Sequence, residues 1–325
     1  MTKILAVDIG TASVSAALAE KHANGKFFVC DFWRLPYDIS DAENAGRILL
    51  KNLKKIFYET HKFYPKTKKI AISFSALFCS EKIISAEFER DNPSLPIRKD
   101  EFENTIEILK NQSEDSSGIQ QIDILETKIN GYGVENPMGH KGENMQMKAS
   151  LLILAPAFKN NLEELKDKFF PSGNFRFFSD SAILKKAVLN LFSPTNDFTI
   201  LDIGGETTAR DDFVFSFGVR AVERRMGAVL SRFSSGHLDY PQERAQSKIL
   251  KLHAENLGDI LERHSSKKIF LTGGGANFPY FFEAAKKKSV AEVIKLEAKD
   301  FDKFFLKLGP LHGGEDAVLA ALITL

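Results

Sequence analysis

One short pattern occurs twice in this chain and constrains it more than any other feature. Ile4-Leu5-Ala6-Val7-Asp8-Ile9-Gly10-x-x-Ser13 returns as Phe198-Thr199-Ile200-Leu201-Asp202-Ile203-Gly204-x-x-Thr207, with Asp202 standing 194 positions after Asp8. A solenoid repeats every 20–50 residues or so, whereas this interval is that of a duplicated domain. The length, 325 residues, also predicts roughly two domains at about 150 residues each. Each copy reads as a buried strand entering a glycine turn. In the first copy the turn leads into a second strand, Val14–Leu18, and a third over Lys26–Trp33, a β-meander. In the second copy Phe213–Phe217 continues the strand pattern.

The chemistry expected of such a hairpin follows from its residue types. Glycine lets backbone N–H groups approach a ligand, and successive N–H groups in a tight turn form an anion-binding nest. Gly10, Gly204 and Gly205 supply the backbone; Thr11, Ser13, Thr207 and Thr208 add hydroxyl donors. Asp8 and Asp202 suit a hydrated magnesium ion, which takes few carboxylates and completes its shell with phosphate oxygens and water. One hairpin alone reads equally as a strand ending in an aspartate-capped turn. Two copies, with a third glycine loop at Thr272-Gly273-Gly274-Gly275-Ala276 after the strand Lys268–Leu271, predict a clasp for a nucleoside triphosphate, with Gly273, Gly274 and Gly275 beneath base and ribose. Asp180 precedes a helix over Ser181–Phe192; it either orients a water or caps that helix.

Between the copies the character changes. Ile83–Glu89, Ile122–Ile129 and Gln146–Leu154 read as strands, Lys99–Lys110 as a short amphipathic helix, and Asn130–Asn144 as a Gly/Pro/Asn-rich loop. This predicts a small α+β insertion in a larger α/β body, expected to carry contacts and no part of the nucleotide site. Ala42–His61, Leu162–Phe170, Val219–Phe233, Pro241–His264 and the terminal Gly314–Leu325 read as helices.

Composition excludes several classes. Lys+Arg 44 against Asp+Glu 43 leaves a net charge of +1, without the basic excess of a protein that binds bulk nucleic acid. Cys30 and Cys79 make neither a disulfide framework nor a Cys-rich zinc site, which fits a reducing compartment. The seven His show no ligand spacing. Asp8 interrupts the first apolar run too early for a signal peptide, and no run approaches the ~18 residues of a spanning helix. A cytoplasmic protein is expected. Trp33, Phe278–Phe282 and Phe301–Phe305 read as core, and Lys286-Lys287-Lys288 as a solvated helix face.

The order of the three motifs resembles the actin-like ATPase superfamily. Val7-Asp8-Ile9-Gly10-Thr11 is similar to its first phosphate motif, Leu201–Thr208 to its second and Leu271–Ala276 to its adenosine motif. The insertion and the loop Glu135-Asn136-Pro137-Met138-Gly139-His140-Lys141-Gly142 resemble FtsA-type cell-division proteins, with His140 where methionine is usual; the pilus protein PilM shares the inserted architecture. The resemblance implies a duplicated actin/DnaK-like (ribonuclease H-like) α/β fold with an FtsA-type inserted subdomain. The first domain would cover residues 1–82 and 148–192, the insertion 83–147 and the second domain 193–325. It further implies ATP and Mg2+ as cofactors, with Asp8 and Asp202 at the metal and Asp180 at the attacking water. Self-association as a homo-oligomer or filament, a partner such as FtsZ or another division or pilus protein, no nucleic acid, and at most a peripheral place on the inner membrane face are also implied. Hydrolysis would be slow, and nucleotide would close the two domains on one another. A small-molecule kinase and a nucleotide-free relative are the alternatives. Three departures stand out. Glu206 replaces the usual third glycine, Ala209-Arg210 replaces the aspartate after the threonine pair, and only 51 residues separate Phe217 from Ile269, where relatives place a further subdomain.

Overall fold

The computed structural model describes residues 2–37, 42–113, 115–194, 197–210, 213–226 and 266–324, with residues 255, 257, 260 and 261. The helix expected over Val219–Phe233 is seen as Val219–Met226; its remainder and most of the stretch 241–264 lie outside the described residues.

The duplication is visible in the sheets. The first half contributes β1 (Thr2–Ile9), β2 (Ser13–Lys21), β3 (Phe27–Pro36), β4 (Lys69–Phe74) and β9 (Asn174–Ser179). They lie in the order β3-β2-β1-β4-β9, antiparallel across the meander and parallel from β1 onward. The second half contributes β10 (Phe198–Ile203), β11 (Thr208–Arg210), β12 (Phe213–Phe215), β13 (Lys268–Thr272) and β14 (Glu292–Lys295). Their order, β12-β11-β10-β13-β14, repeats the same antiparallel and parallel pairings. A short late strand, β15 (Phe305–Lys307), extends the first sheet beside β3.

Parallel strands need crossovers that cover both faces. Helix α1 (Ala42–Phe63) spans β3 to β4 and buries Leu49, Leu53, Ile56 and Phe57 along one stripe. Phe57 meets Phe170 edge-on at 5.4 Å. The core between the sheets is made by α4 (Asp180–Phe192) and the terminal α7 (Ala317–Thr324). In α7, Ala317 through Ile323 are all buried, and a helix apolar on every side must lie inside. It packs on β1, β2 and β4, where Ala6, Ala17 and Ala19 leave room for it. Phe281, Phe301 and Phe305 are core, as expected, with Phe270 beside them, whereas Trp33, Phe278, Phe282 and Phe304 are half-buried. Lys286, Lys287 and Lys288, at the end of α6 (Pro279–Lys288), face solvent.

Residues Phe78–Glu163 form a separate compact unit. Its four-stranded antiparallel sheet runs β5 (Cys79–Glu89), β8 (Asn144–Leu154), β6 (Ile119–Ile129), β7 (Tyr132–Gly133). Helix α2 (Lys99–Asn111) and the sheet share a core around Leu109, Ile129, Met145 and Met147. The loop at Asn136–Gly142 is stitched into this unit and is not a free tip. Gly139, at φ +84°, donates to Ile97 O at 3.0 Å, and Ile97 N donates to His140 O at 2.8 Å. Arg90, buried, joins the pieces: its guanidinium meets Glu101 at 2.5 and 3.0 Å, Gly142 O at 2.8 Å and Leu95 O at 3.1 Å. Removing Arg90 strands the Glu101 carboxylate and the carbonyls of Gly142 and Leu95. Arg90→Met is therefore expected to destabilise this unit by about 3 kcal/mol. Hydrogen exchange should accelerate in residues 90–142 while the amides of β1 keep their protection; equal effects in both would contradict this assignment.

Candidate functional site

The two hairpins are closed by the same bond. Gly10 N donates to Ser13 O at 3.1 Å, and Gly204 N donates to Thr207 O at 2.9 Å. Asp8 and Asp202 consequently occupy equivalent places one residue before the end of a central strand, beside Ser73 of β4 and Thr272 of β13. The Ser73 hydroxyl donates to Asp8 Oδ1 at 3.4 Å. Asp180 enters from the start of α4. Capping there is done by Ser179, whose Oγ accepts from Ala182 N at 3.1 Å. The Asp180 carboxylate is thus not needed as a cap, and its Oδ1 is buried without a partner.

Burial raises all three carboxylates, and they act on one another. Asp8 is pushed up to about 7, chiefly by burial and then by the charge of Asp202; Arg34 and Ser73 pull it down. Burial takes Asp202 to about 6. Asp180 is raised well above the usual carboxylate range by burial, then by Asp8, then by Asp202. Three buried acids in one another's field, one with an orphaned oxygen, suit a bound cation. Among the described residues no three His, Cys, Asp or Glu side chains are gathered closely enough to hold a metal by themselves. A cation here would complete its shell with water or ligand oxygens, which is how magnesium is usually held.

The hairpin tips touch. Glu206 N donates to Thr11 Oγ1 at 3.0 Å, and a Cβ on Gly205 would lie 2.2 Å from Ala12 Cβ, so only glycine fits. Helix α5 (Val219–Met226) starts on the second hairpin, with Val219 N on Gly204 O at 3.0 Å and Arg220 N on Gly205 O at 2.7 Å. From there Arg220 reaches across to Ala12 O at 2.9 Å and to Tyr37 O. The Tyr37 hydroxyl in turn donates to Gly10 O. The amides of Thr11, Ala12 and Gly205 meet no protein acceptor among the described residues, which leaves donors for an anion.

Other expected residues fall into place differently. The Glu206 carboxylate is held by Arg224 at 2.7 and 2.5 Å, so its charge is matched within the second half. Thr208 Oγ1 is buried and donates to Phe217 O at 2.7 Å, a structural bond. Ser13 Oγ pairs with Ser15 Oγ at 3.3 Å. Thr207 serves through its carbonyl, which closes the turn. The third loop is seated on the second hairpin. Gly273, at φ +82°, leaves no room for a Cβ, which would stand 2.1 Å from Asp202 Oδ1, whereas Gly274 faces open space. Gly275 packs against Ile203. Thr272 Oγ1 and Gly273 N both donate to Gly314 O, at 3.1 and 3.3 Å.

Sequence reasoning missed Ser73, Tyr37, Arg34, Arg220 and Arg224. Arg34 bonds Ser15 Oγ at 3.1 Å and Asp316 Oδ1 at 2.5 Å, linking the first hairpin to the turn that holds the third loop. None of these lies inside a glycine motif; the register of β1 on β4 brings in Ser73, the end of β3 beside β2 brings in Arg34 and Tyr37, and the start of α5 brings in Arg220 and Arg224.

No protein-family model and no curated protein matches the sequence. Solved structures do resemble this one. A chain of the PilM-PilN type IV pilus biogenesis complex aligns over 98% of this chain and 97% of its own, at 16% identity and a TM-score of 0.55. The ethanolamine utilization protein EutJ from Carboxydothermus hydrogenoformans aligns over 100% and 90% at 10% identity, with a TM-score of 0.47. The fold is actin-like. The paired sheets of identical topology and the likeness to the pilus-complex chain over nearly its whole length carry that conclusion.

The raised carboxylates give a pH dependence of stability. A folded-state value above the unfolded one means that the folded chain holds more protons, so this contribution is full below about pH 4 and lost as pH rises through about 7. Asp8→Asn is expected to raise the melting temperature by several degrees at pH 8 and by almost nothing at pH 5, measured by scanning calorimetry without nucleotide. A loss of stability at pH 8 would contradict the electrostatic account.

Proposed function

We propose that this chain is a nucleotide-binding actin-like scaffold in which Asp8 and Asp202 hold a magnesium ion and the two hairpins receive the phosphates of ATP. The observation that carries this reading is the pairing of identically closed hairpins around two carboxylates raised by burial, with the Thr11, Ala12 and Gly205 amides meeting no acceptor among the described residues. Bound magnesium would neutralise phosphate charge. The chain's own part is to place donors on either side of the phosphate tail, to seat the ribose and base near the open side of Gly274, and to keep the acids dry. Asp180, its Oδ1 free, would orient a water. Turnover would be slow, because Glu206 stands where the motif usually has glycine and its backbone N–H is already given to Thr11.

Between the two scaffold roles, the likeness to the PilM-PilN complex chain supports pilus assembly, with a protein partner as in that complex. The loop at Asn136–Gly142 is what a cell-division role, with FtsZ as partner, rests on; its bonds lie within its own unit. No described helix is long and apolar enough to cross a membrane, and any membrane association in this reading is peripheral. Two other readings draw on particular observations. The touching hairpin tips favour a nucleotide-free relative. The buried Asp180 is what a small-molecule kinase would use as general base.

Calorimetric titration with ATP and magnesium separates them. Binding at millimolar nucleotide or below is expected, reduced at least tenfold in Asp202→Ala, with phosphate release far below the ~10 per second of a median enzyme. The absence of heat and of any thermal shift would leave the nucleotide-free relative. Stoichiometric phosphorylation of an added sugar or acid would establish a kinase.

A further inference from the structure

The contacts between the hairpin tips do more than bring the halves together, because they occupy the ground a phosphate tail must enter. Three independent observations meet there. Thr11 Oγ1 is taken up by Glu206 N at 3.0 Å. Gly205 lies so close to Ala12 that a single added carbon would sit 2.2 Å from its Cβ. Arg220, anchored through its own N–H on Gly205 O at 2.7 Å, sends its guanidinium across to Ala12 O at 2.9 Å and to Tyr37 O. Ala12 O also accepts from Tyr37 N at 3.0 Å, so the tip of the first hairpin is held from both sides.

The Arg220 contacts differ in kind from those of Arg224. Arg224 meets a carboxylate on the hairpin beside its own helix. The two guanidinium bonds of Arg220 go to neutral carbonyls of the first half. A charged donor on a carbonyl makes a strong bond that can open without stranding a buried anion. Facing groups are of both signs. The Tyr37 hydroxyl, pushed up chiefly by burial, feels the charges of Asp8, Arg220 and Asp180.

We propose that Arg220 is a latch that holds the ligand-free hairpins shut, so that nucleotide enters by wedging them apart. This deepens the nucleotide reading and rests on it for the identity of the ligand, a magnesium–nucleoside triphosphate. It reverses the expected order, in which nucleotide draws the halves together. When only a fraction of molecules is open, the apparent dissociation constant is the intrinsic one divided by that fraction. Loosening the latch therefore tightens and speeds binding. An arginine whose task is to hold phosphate would show the opposite.

The test uses the full-length chain. Hydrogen exchange by mass spectrometry, without nucleotide, follows peptides covering residues 10–13 and 204–207 in wild type, Arg220→Ala and Thr11→Val. Arg220→Ala is expected to accelerate exchange in both segments about tenfold, the size expected for losing charged-donor bonds, while β4 and β13 stay protected. Thr11→Val should act in the same direction and stands in if Arg220→Ala fails to fold. Stopped-flow mixing with a fluorescent ATP analogue and magnesium should then show association about tenfold faster in Arg220→Ala, in proportion to the enlarged open fraction. Unchanged exchange in both variants overturns the latch, whatever nucleotide does. Slower or weaker nucleotide binding in Arg220→Ala also overturns it and makes Arg220 a phosphate contact. If neither protein binds nucleotide, the scaffold's nucleotide reading fails, and the exchange result alone upholds or overturns the latch as a structural device.

Discussion

Asp8, Asp180 and Asp202 are held where burial opposes ionisation, reinforced at Asp8 and Asp180 by the charge of neighbouring aspartates, and the rest of the first and second halves is arranged around that constraint. Each acid sits at an element terminus, the only place where a carboxylate can leave an apolar core without breaking it. Two stand near the ends of central strands and one in the first turn of α4. The strands cannot shift to relieve the repulsion, because β1 and β10 are each paired on both sides. The helix cannot shift either, since Ile183, Leu184, Ala187 and Val188 lock it against α7 and both sheets. The fold thus keeps three acids near one another at a cost in stability when the pH is above their folded-state values.

The second organising feature is close approach at glycine. Gly205 against Ala12, Gly273 against Asp202 and Gly218 against Gly205 O each leave less than 2.5 Å for an added Cβ. These three positions let loops from distant parts of the chain close on one another. They also place the start of α5 directly on the second hairpin, which is how two arginines come to flank the site. Charge is balanced within the second half by Glu206 and Arg224, and across the halves by Arg34 and Asp316.

The repeat and its partner loop were legible in the sequence because each motif is local: a strand, an acid and a glycine within ten residues. The same holds for the core role of Phe301 and for the buried terminal helix, which is apolar from Ala317 through Ile323. Asp180 was legible as a candidate but not as between its two roles; only the capping bond of Ser179 decides against the cap. Ser73, Arg34 and Arg220 were not legible, because strand register and a turn-to-helix junction bring them in and neither leaves a local pattern. Glu206 was legible as a departure from the motif's glycine, but its partner Arg224 lies 18 residues on, beyond any spacing rule. The segment Asn136–Gly142 was legible as a Gly- and Pro-containing loop; Arg90, which ties it into its own unit, is 52 residues from Gly142.

The most direct test of the central claim is electron paramagnetic resonance of manganese as a substitute for magnesium. With ATP present, the protein should immobilise about one Mn2+ per chain, and Asp202→Asn should release it without lowering the melting temperature of the protein. A manganese–ATP spectrum that wild-type protein leaves unchanged would contradict the claim that these paired hairpins form a cation–phosphate site.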